Sequence, residues 1–344
     1  MNVLNYAAAA GITALIVYLM VIGNAILLPL VTAVFVWYLI NALATATRVL
    51  RVGGKPLPKA LRLGAAILVL SITSWFVLNM VIGNIAQVVA ATPVYEENLR
   101  IFTERAVERI GLEPVLRMQA LVQGLNLSSA VRSIARAAVG LIGSIGTVAI
   151  YVAFLLLEQH SFDKKIAALC PNPAREALLR RILTRIGSET QTYVLLKTLT
   201  SLLTGFASYV VMKIVGLDYA AFWALLIFAL NYIPYIGALS GVVFPTLLAL
   251  VQFDTFTPFV ITTISLTVVQ FVIGSILEPR IMGKGLNLSP VIMLLSLVVW
   301  GTIWGVAGMF LAVPLMVVVM IVFSNFESTR PIAILMSASG ELQN

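Results

Sequence analysis

Charge is scarce in this chain. Asp, Glu, Lys and Arg together make up 10% of its 344 residues, against about 25% in an ordinary soluble domain. Cysteine and histidine are nearly missing, with one of each, Cys170 and His160. A lone cysteine excludes an internal disulfide framework and any Cys-based zinc site. A lone histidine excludes paired-His metal motifs such as HExxH. There is no GxxxxGK run followed by Ser or Thr, so no loop is built to cradle ATP phosphates. No cofactor or metal is expected. No basic residue precedes Arg48, and the first apolar run is far longer than the roughly 7–15 residues of a signal-peptide core. No cleavable leader is expected.

What fills the chain instead is apolar. Hydrophobic residues make up 60% of it, above the roughly 45–50% of soluble domains. Charge-free runs extend over Met1–Thr47, Leu63–Tyr95, Ala137–Leu157, Tyr219–Phe253, Thr255–Leu277 and Gly285–Phe326. About 20 apolar residues cross the hydrocarbon core as a helix, and the short alternating segments of a β-barrel are absent. The expected fold is an all-α polytopic membrane protein. It should have about six spanning helices, two re-entrant helical hairpins in inverted-repeat arrangement, and an amphipathic surface segment.

The charges mark the sides. Arg48, Arg51, Lys55, Lys59 and Arg62 lie together with no acid between them, which reads as a cytoplasmic loop. The net charge of +8 therefore points to membrane lipid and not to nucleic acid. Residues 92–136 are almost balanced, and Glu96, Glu97, Glu104 and Glu108 each lie three or four residues from Arg100 or Arg105. That spacing supports one helix face and suits an external surface segment. Residues 158–197 are again basic, with Lys164, Lys165, Arg175, Arg180, Arg181 and Arg185, and read as cytoplasmic and continuous with the next helix. His160, within them, reads as solvated. The termini are expected inside, with a first hairpin (Asn5–Ile22, Leu28–Thr47) turning around Gly23, Asn24 and Pro29, and further spans at Leu63–Val89, Ala137–Leu157 and Gln191–Val211. The linear organisation is then 1–91 membrane helices serving as scaffold, 92–136 external, 137–190 helix plus basic segment, 191–326 transport region, and 327–344 cytoplasmic tail. With Cys170 replaced, cysteines at Ala60 and Ala168 should be labelled only from inside intact cells, and one at Val107 from outside. Protection of position 107 from an impermeant thiol reagent would reverse this threading.

The C-terminal half repeats. Gly216-Leu217-Asp218 recurs as Gly285-Leu286-Asn287, and at the same offset Gly205 matches Gly274 and Pro245 matches Pro314. Asp218 and Asn287 are good N-cap types. The segments that follow, Tyr219–Leu230 and Leu288–Val299, would be about 18 Å long at 1.5 Å per residue, too short for a core of about 30 Å. The turns Asn231–Gly237 and Gly301–Gly308 carry proline and glycine, which favours hairpins dipping in and returning from opposite sides, their tips meeting near the midplane. Interrupted segments in inverted repeats point to a transporter's substrate site. Candidate substrate-binding residues are Asn231, Tyr232, Pro234, Tyr235 and Gly237 on the first tip, and Trp300, Gly301, Thr302, Trp304 and Gly305 on the second. Two charges at membrane depth, Lys197 and Glu278, join them. Arg280 is the nearest candidate to neutralise Glu278, and Thr198, Thr200 and Ser201 are expected to bond helix carbonyls.

These stretches resemble a known family. Tyr193–Thr198, Ala229–Gly237, Leu277–Leu286 and Gly308–Leu315 are similar to signature runs of the autoinducer-2 exporter family, the PerM-like permeases. The resemblance implies a bacterial inner-membrane, multi-pass transporter of a small polar quorum-sensing signal. It also implies a homo-oligomer, a pentamer, and elevator-like movement; the concentration of broken helices and glycines marks 191–323 as the mobile part, with the first hairpin (Asn5–Thr47) and the third helix as the scaffold. Some members are described as sodium/proton antiporters, which gives the alternative reading, a sodium or lithium/proton antiporter. Two other classes remain beside these: an intramembrane enzyme with a Ser201–Lys197 dyad, and a non-transporting membrane scaffold.

Overall fold

The computed structural model describes residues 3–47, 51–52, 55–110, 127–170, 172–282 and 287–342. Apart from a two-residue antiparallel pair, β1 (Arg51–Val52) with β2 (Lys55–Pro56), its regular elements are helices. Among the described residues, five helices are long and apolar enough to cross a membrane by length and composition, Pro290–Ser324 among them, or six if one bent pair counts as a span. The chain is a multi-pass, all-α membrane protein.

α1 (Val3–Ile22) and α2 (Asn24–Ala46) are separated by Gly23 alone. Gly23 N–H still donates to the Leu19 carbonyl, and the Leu27 N–H to the Gly23 carbonyl, both at 2.8 Å. An antiparallel helix pair needs a loop of about 2–5 residues. The expected turn around Gly23, Asn24 and Pro29 is therefore an interruption in one helical run, with Pro29 inside α2. The placement of the N-terminus on the cytoplasmic side rested on that turn and loses its support.

α3 (Lys59–Ile110) is continuous for 52 residues, about 78 Å at 1.5 Å per residue. The first part of the expected surface segment is thus the far end of a spanning helix and not a separate element; residues 111–126 of that segment lie outside the described residues. α4 (Leu127–Glu158) is followed, after a bend of 70°, by the short amphipathic α5 (Phe162–Leu169). His160 between them is exposed. α6 (Pro173–Val215) joins the basic segment to the membrane helix without a break, as expected. Its charges pair locally, Arg180 with Glu176 and Asp163, and Arg185 with Glu189.

The first repeat is α7 (Ala220–Leu230) and α8 (Ile236–Gln252). α9 (Thr257–Met282) follows, with a π-helical turn at Phe271–Leu277. The second repeat is α10 (Pro290–Ser324), broken at Gly305, whose φ of 63° and ψ of −146° lie in a region essentially reserved for glycine. The chain doubles back at both breaks. A Cβ added at Gly237 would collide with the Leu230 carbonyl, and one added at Gly308 with the Trp300 carbonyl. In an unbroken helix, residues seven or eight apart are about 10–12 Å apart along the axis. Both repeats are helical hairpins.

Their feet are tied. The Gln252 side chain donates to the Gly216 carbonyl (2.9 Å) and accepts from the Asp218 N–H (2.8 Å), joining both ends of the first hairpin. At the second, the Asn287 side chain donates to the Glu341 carbonyl (2.6 Å), and Ser289 N–H donates to the Met336 carbonyl (2.9 Å). These hold the segment after α11 (Arg330–Met336) against the foot. The Asn287 side chain is thus spent on Glu341 and Ser339 and does not cap α10 as expected. Tyr219 and Ser289 precede the helices, and neither caps through its side chain.

Two compact units result. One comprises Met1–Ile67, Ser144–Leu196 and Met282–Asn344, and the other Leu68–Gly143 and Lys197–Ile281. The core of the first gathers Tyr193, Val194, Leu288, Val313 and Val317. The core of the second gathers Met212, Phe222, Trp223, Ile227, Leu248 and Leu266. The units cut across the linear division into regions, and each holds one hairpin.

Candidate functional site

In the second unit, polar groups converge where α6 meets the first hairpin tip. Lys197 lies on α6 and is almost fully buried, its side chain 5% exposed. Its ammonium donates to Glu278 Oε1 at 2.5 Å, and that carboxylate is 19% exposed. One turn of α6 carries two more contacts. The Thr198 and Tyr232 hydroxyls are 2.6 Å apart. Asn231 Nδ2 donates to Ser201 Oγ at 3.1 Å. The spacing explains the grouping, because residues 197, 198 and 201 share one side of a helix at i, i+1 and i+4. Each neutral bond contributes about 0.5–1.5 kcal/mol. Asn231 Oδ1 has no hydrogen-bond partner among the described residues.

The tip beyond is strained. Tyr235 has φ 63° and ψ −47°, and the Ile236 N–H reaches back to the Pro234 carbonyl at 2.7 Å. This is a γ-turn with positive φ at its centre, the rare and strained form. Tyr235 is half exposed, so packing against neighbours does not explain why a non-glycine residue stands there. Strain of this kind costs about 1–3 kcal/mol and gathers at functional sites.

The second tip, in the first unit, is chemically different. Trp304 is 5% exposed, and its indole N–H donates to the Met20 carbonyl at 3.1 Å. Trp304 thus anchors its hairpin to the end of α1 and does not present a free ring. Trp300 packs beside it with ring centroids 5.2 Å apart. Thr302 bonds its own helix at the Val299 carbonyl. Gly301 accommodates Met309.

Of the residues expected from sequence, Lys197, Glu278, Asn231, Tyr232, Pro234, Tyr235 and Gly237 lie in the second unit. Trp300, Gly301, Thr302, Trp304 and Gly305 lie in the first. The partner of Glu278 is Lys197, and not Arg280, which is exposed. Thr198 and Ser201 reach the hairpin tip, and Thr200 bonds the Lys197 carbonyl of its own helix as expected. Ser201 accepts from Asn231 while Lys197 holds Glu278, so no Ser–Lys dyad is assembled. Sequence reasoning passed over Gln252 and Gln270. Their signal was an amide within or at the edge of an apolar run.

Comparison with known proteins gives the family. The AI-2 transport protein TqsA of Escherichia coli (strain K12) is 34% identical over 195 residues, 56% of this chain and 55% of TqsA. The putative transport protein YhhT of the same strain is 33% identical over 241 residues, 70% of this chain and 64% of YhhT. A putative transport protein of Haemophilus influenzae is 25% identical over 338 residues, covering 95% of this chain and 94% of that protein. The chain thus spans little more than half the length of TqsA, and the family is one of transporters, not enzymes. A model of the AI-2E family transporters matches residues 11–328, nearly the whole chain, and the protein belongs to that family.

Proposed function

We propose that the protein is a secondary transporter of the bacterial inner membrane that exports a small polar metabolite, autoinducer-2 or a similar quorum-sensing signal. The observation that carries this reading is the polar cluster at the first hairpin tip. In a chain this apolar, Lys197, Thr198, Ser201, Asn231, Tyr232 and Glu278 are brought to one place. Intramembrane polar groups are costly and generally mark a pathway. Hydroxyls, an amide and a free carbonyl suit a hydroxyl-rich, neutral ligand. The name of TqsA, at 34% identity, supports the same substrate class. Movement is proposed to be elevator-like, with the hairpins carrying the substrate in a homo-oligomer, a pentamer as the family resemblance implies.

Autoinducer-2 flux in proteoliposomes tests this. Asn231→Ala is expected to weaken substrate binding by about 0.5–1.5 kcal/mol, the worth of one neutral hydrogen bond, with assembly intact. Absence of flux, together with dissipation of a pH gradient on adding sodium or lithium, would replace the export reading with antiport.

A further inference from the structure

α9 changes its winding just before Glu278. Its buried positions run Thr262, Leu266 and Gln270, four apart, and then Ile273. From there the ladder widens: the Glu278 N–H donates to the Ile273 carbonyl, five residues back. In an undisturbed α-helix, five residues turn through about 500°, leaving Glu278 about 140° around from Ile273. The π-turn closes that gap and returns Glu278 to the buried face, where Lys197 meets it at 2.5 Å. Without the extra residue absorbed at Phe271–Leu277, the carboxylate would face away.

Two further features sit at this turn. Gln270, immediately before it, is buried, and its Nε2 has no hydrogen-bond partner among the described residues. The amide lies against Gly241, where an added Cβ would approach Nε2 to 2.5 Å. A buried unpaired amide is a store of unfavourable free energy. On the other side, Pro279 has no N–H to give the α-ladder, so the irregularity can shift past Glu278 without losing a bond at that position.

We propose that the π-turn Phe271–Leu277 is a register switch. In the arrangement described, it holds Glu278 on Lys197. Moving the extra residue beyond Glu278 turns that side chain by about one residue, 100°, and frees Lys197 beside the first hairpin tip. The proposal rests on reading the tip cluster as the transport site.

Deleting Gly274 tests it. The deletion places Glu278 four positions after Ile273, so an ordinary α-helix keeps both on one face and the switch is lost. Protection of Lys197 from a small amine-acylating reagent, read by mass spectrometry in native membranes, reports the pair. Glu278→Gln marks the unprotected level. Gly274→Ala, where nothing lies within 4 Å of the added Cβ, controls for substitution at full length. We expect the deletion to protect Lys197 as fully as the unaltered protein and to slow autoinducer-2 flux at least tenfold. We also expect added autoinducer-2 to raise Lys197 acylation severalfold in the unaltered protein only. Near-normal flux in the deletion overturns the switch. Loss of Lys197 protection in a folded deletion overturns the register argument. Should the deletion not assemble, unchanged acylation on adding substrate overturns the proposal by itself. An unaltered protein that carries no autoinducer-2 sinks the export reading instead, and Lys197 protection still decides the register.

Discussion

Glu278→Gln and Lys197→Met are each expected to destabilise the protein by about 3–5 kcal/mol, because each leaves one charge buried without its partner. The magnitude follows from burial: the two side chains are 5% and 19% exposed, too little for water to replace the lost contact. The double variant Lys197→Met/Glu278→Leu should recover most of that loss, since replacing a buried pair by apolar side chains is often neutral or favourable. Thermal unfolding of the four proteins in detergent measures the coupling. Strictly additive single losses would mean that the two groups do not interact in the folded protein. Flux separates structure from transport. A double variant that is stable but inactive places the pair in the transport cycle, whereas a stable and active one makes it a structural brace.

The parts legible in the sequence were those set by short-range rules. The two hairpins followed from helices too short to span and from turns rich in Gly and Pro. They appear as α7–α8 and as the two arms of α10. The basic segment, read as continuous with the next helix, appears as the first part of α6. What escaped was register and partnership over distance. Lys197 and Glu278 are 81 residues apart, and sequence spacing favoured the adjacent Arg280. No composition rule announces a π-turn, although that turn decides which way Glu278 faces. Trp304 looked like a ligand platform, since its position in a glycine-rich turn says nothing about the Met20 carbonyl it bonds. That carbonyl is accessible where the helix breaks at Gly23, the same break that looked in sequence like a reversal. The pairings escaped because they span long sequence distances, whereas at Gly23 and in the π-turn the local winding itself was not readable from residue type.

Gly237→Ala and Gly308→Ala are expected to prevent the hairpins from closing. At both positions the added Cβ would overlap a backbone carbonyl of the opposing arm, Leu230 or Trp300. Overpacking an ordinary core costs about 1–3 kcal/mol, but there the obstacle is a side chain with other rotamers. Here it is main chain, held by the tie at the hairpin's own foot: Gln252 on Gly216 and Asp218 in one case, Asn287 on Glu341 in the other. The loss should therefore reach or exceed the top of that range. Gly305→Ala meets no neighbouring atom, but its φ of 63° adds about 1–3 kcal/mol of backbone strain, so it should fall between. Gly64→Ala and Gly146→Ala, with nothing within 4 Å, lie in helices and should be neutral or gain up to about 1 kcal/mol. Melting temperature and folded yield in detergent give the order. A Gly308→Ala protein that melts within about 1 °C of Gly64→Ala, a shift worth under about 1 kcal/mol in a chain of this size, would show that the arms of α10 do not approach as closely as the carbonyl contact requires. With the arms spread, the second tip would have no fixed geometry from which Trp304 could reach the end of α1.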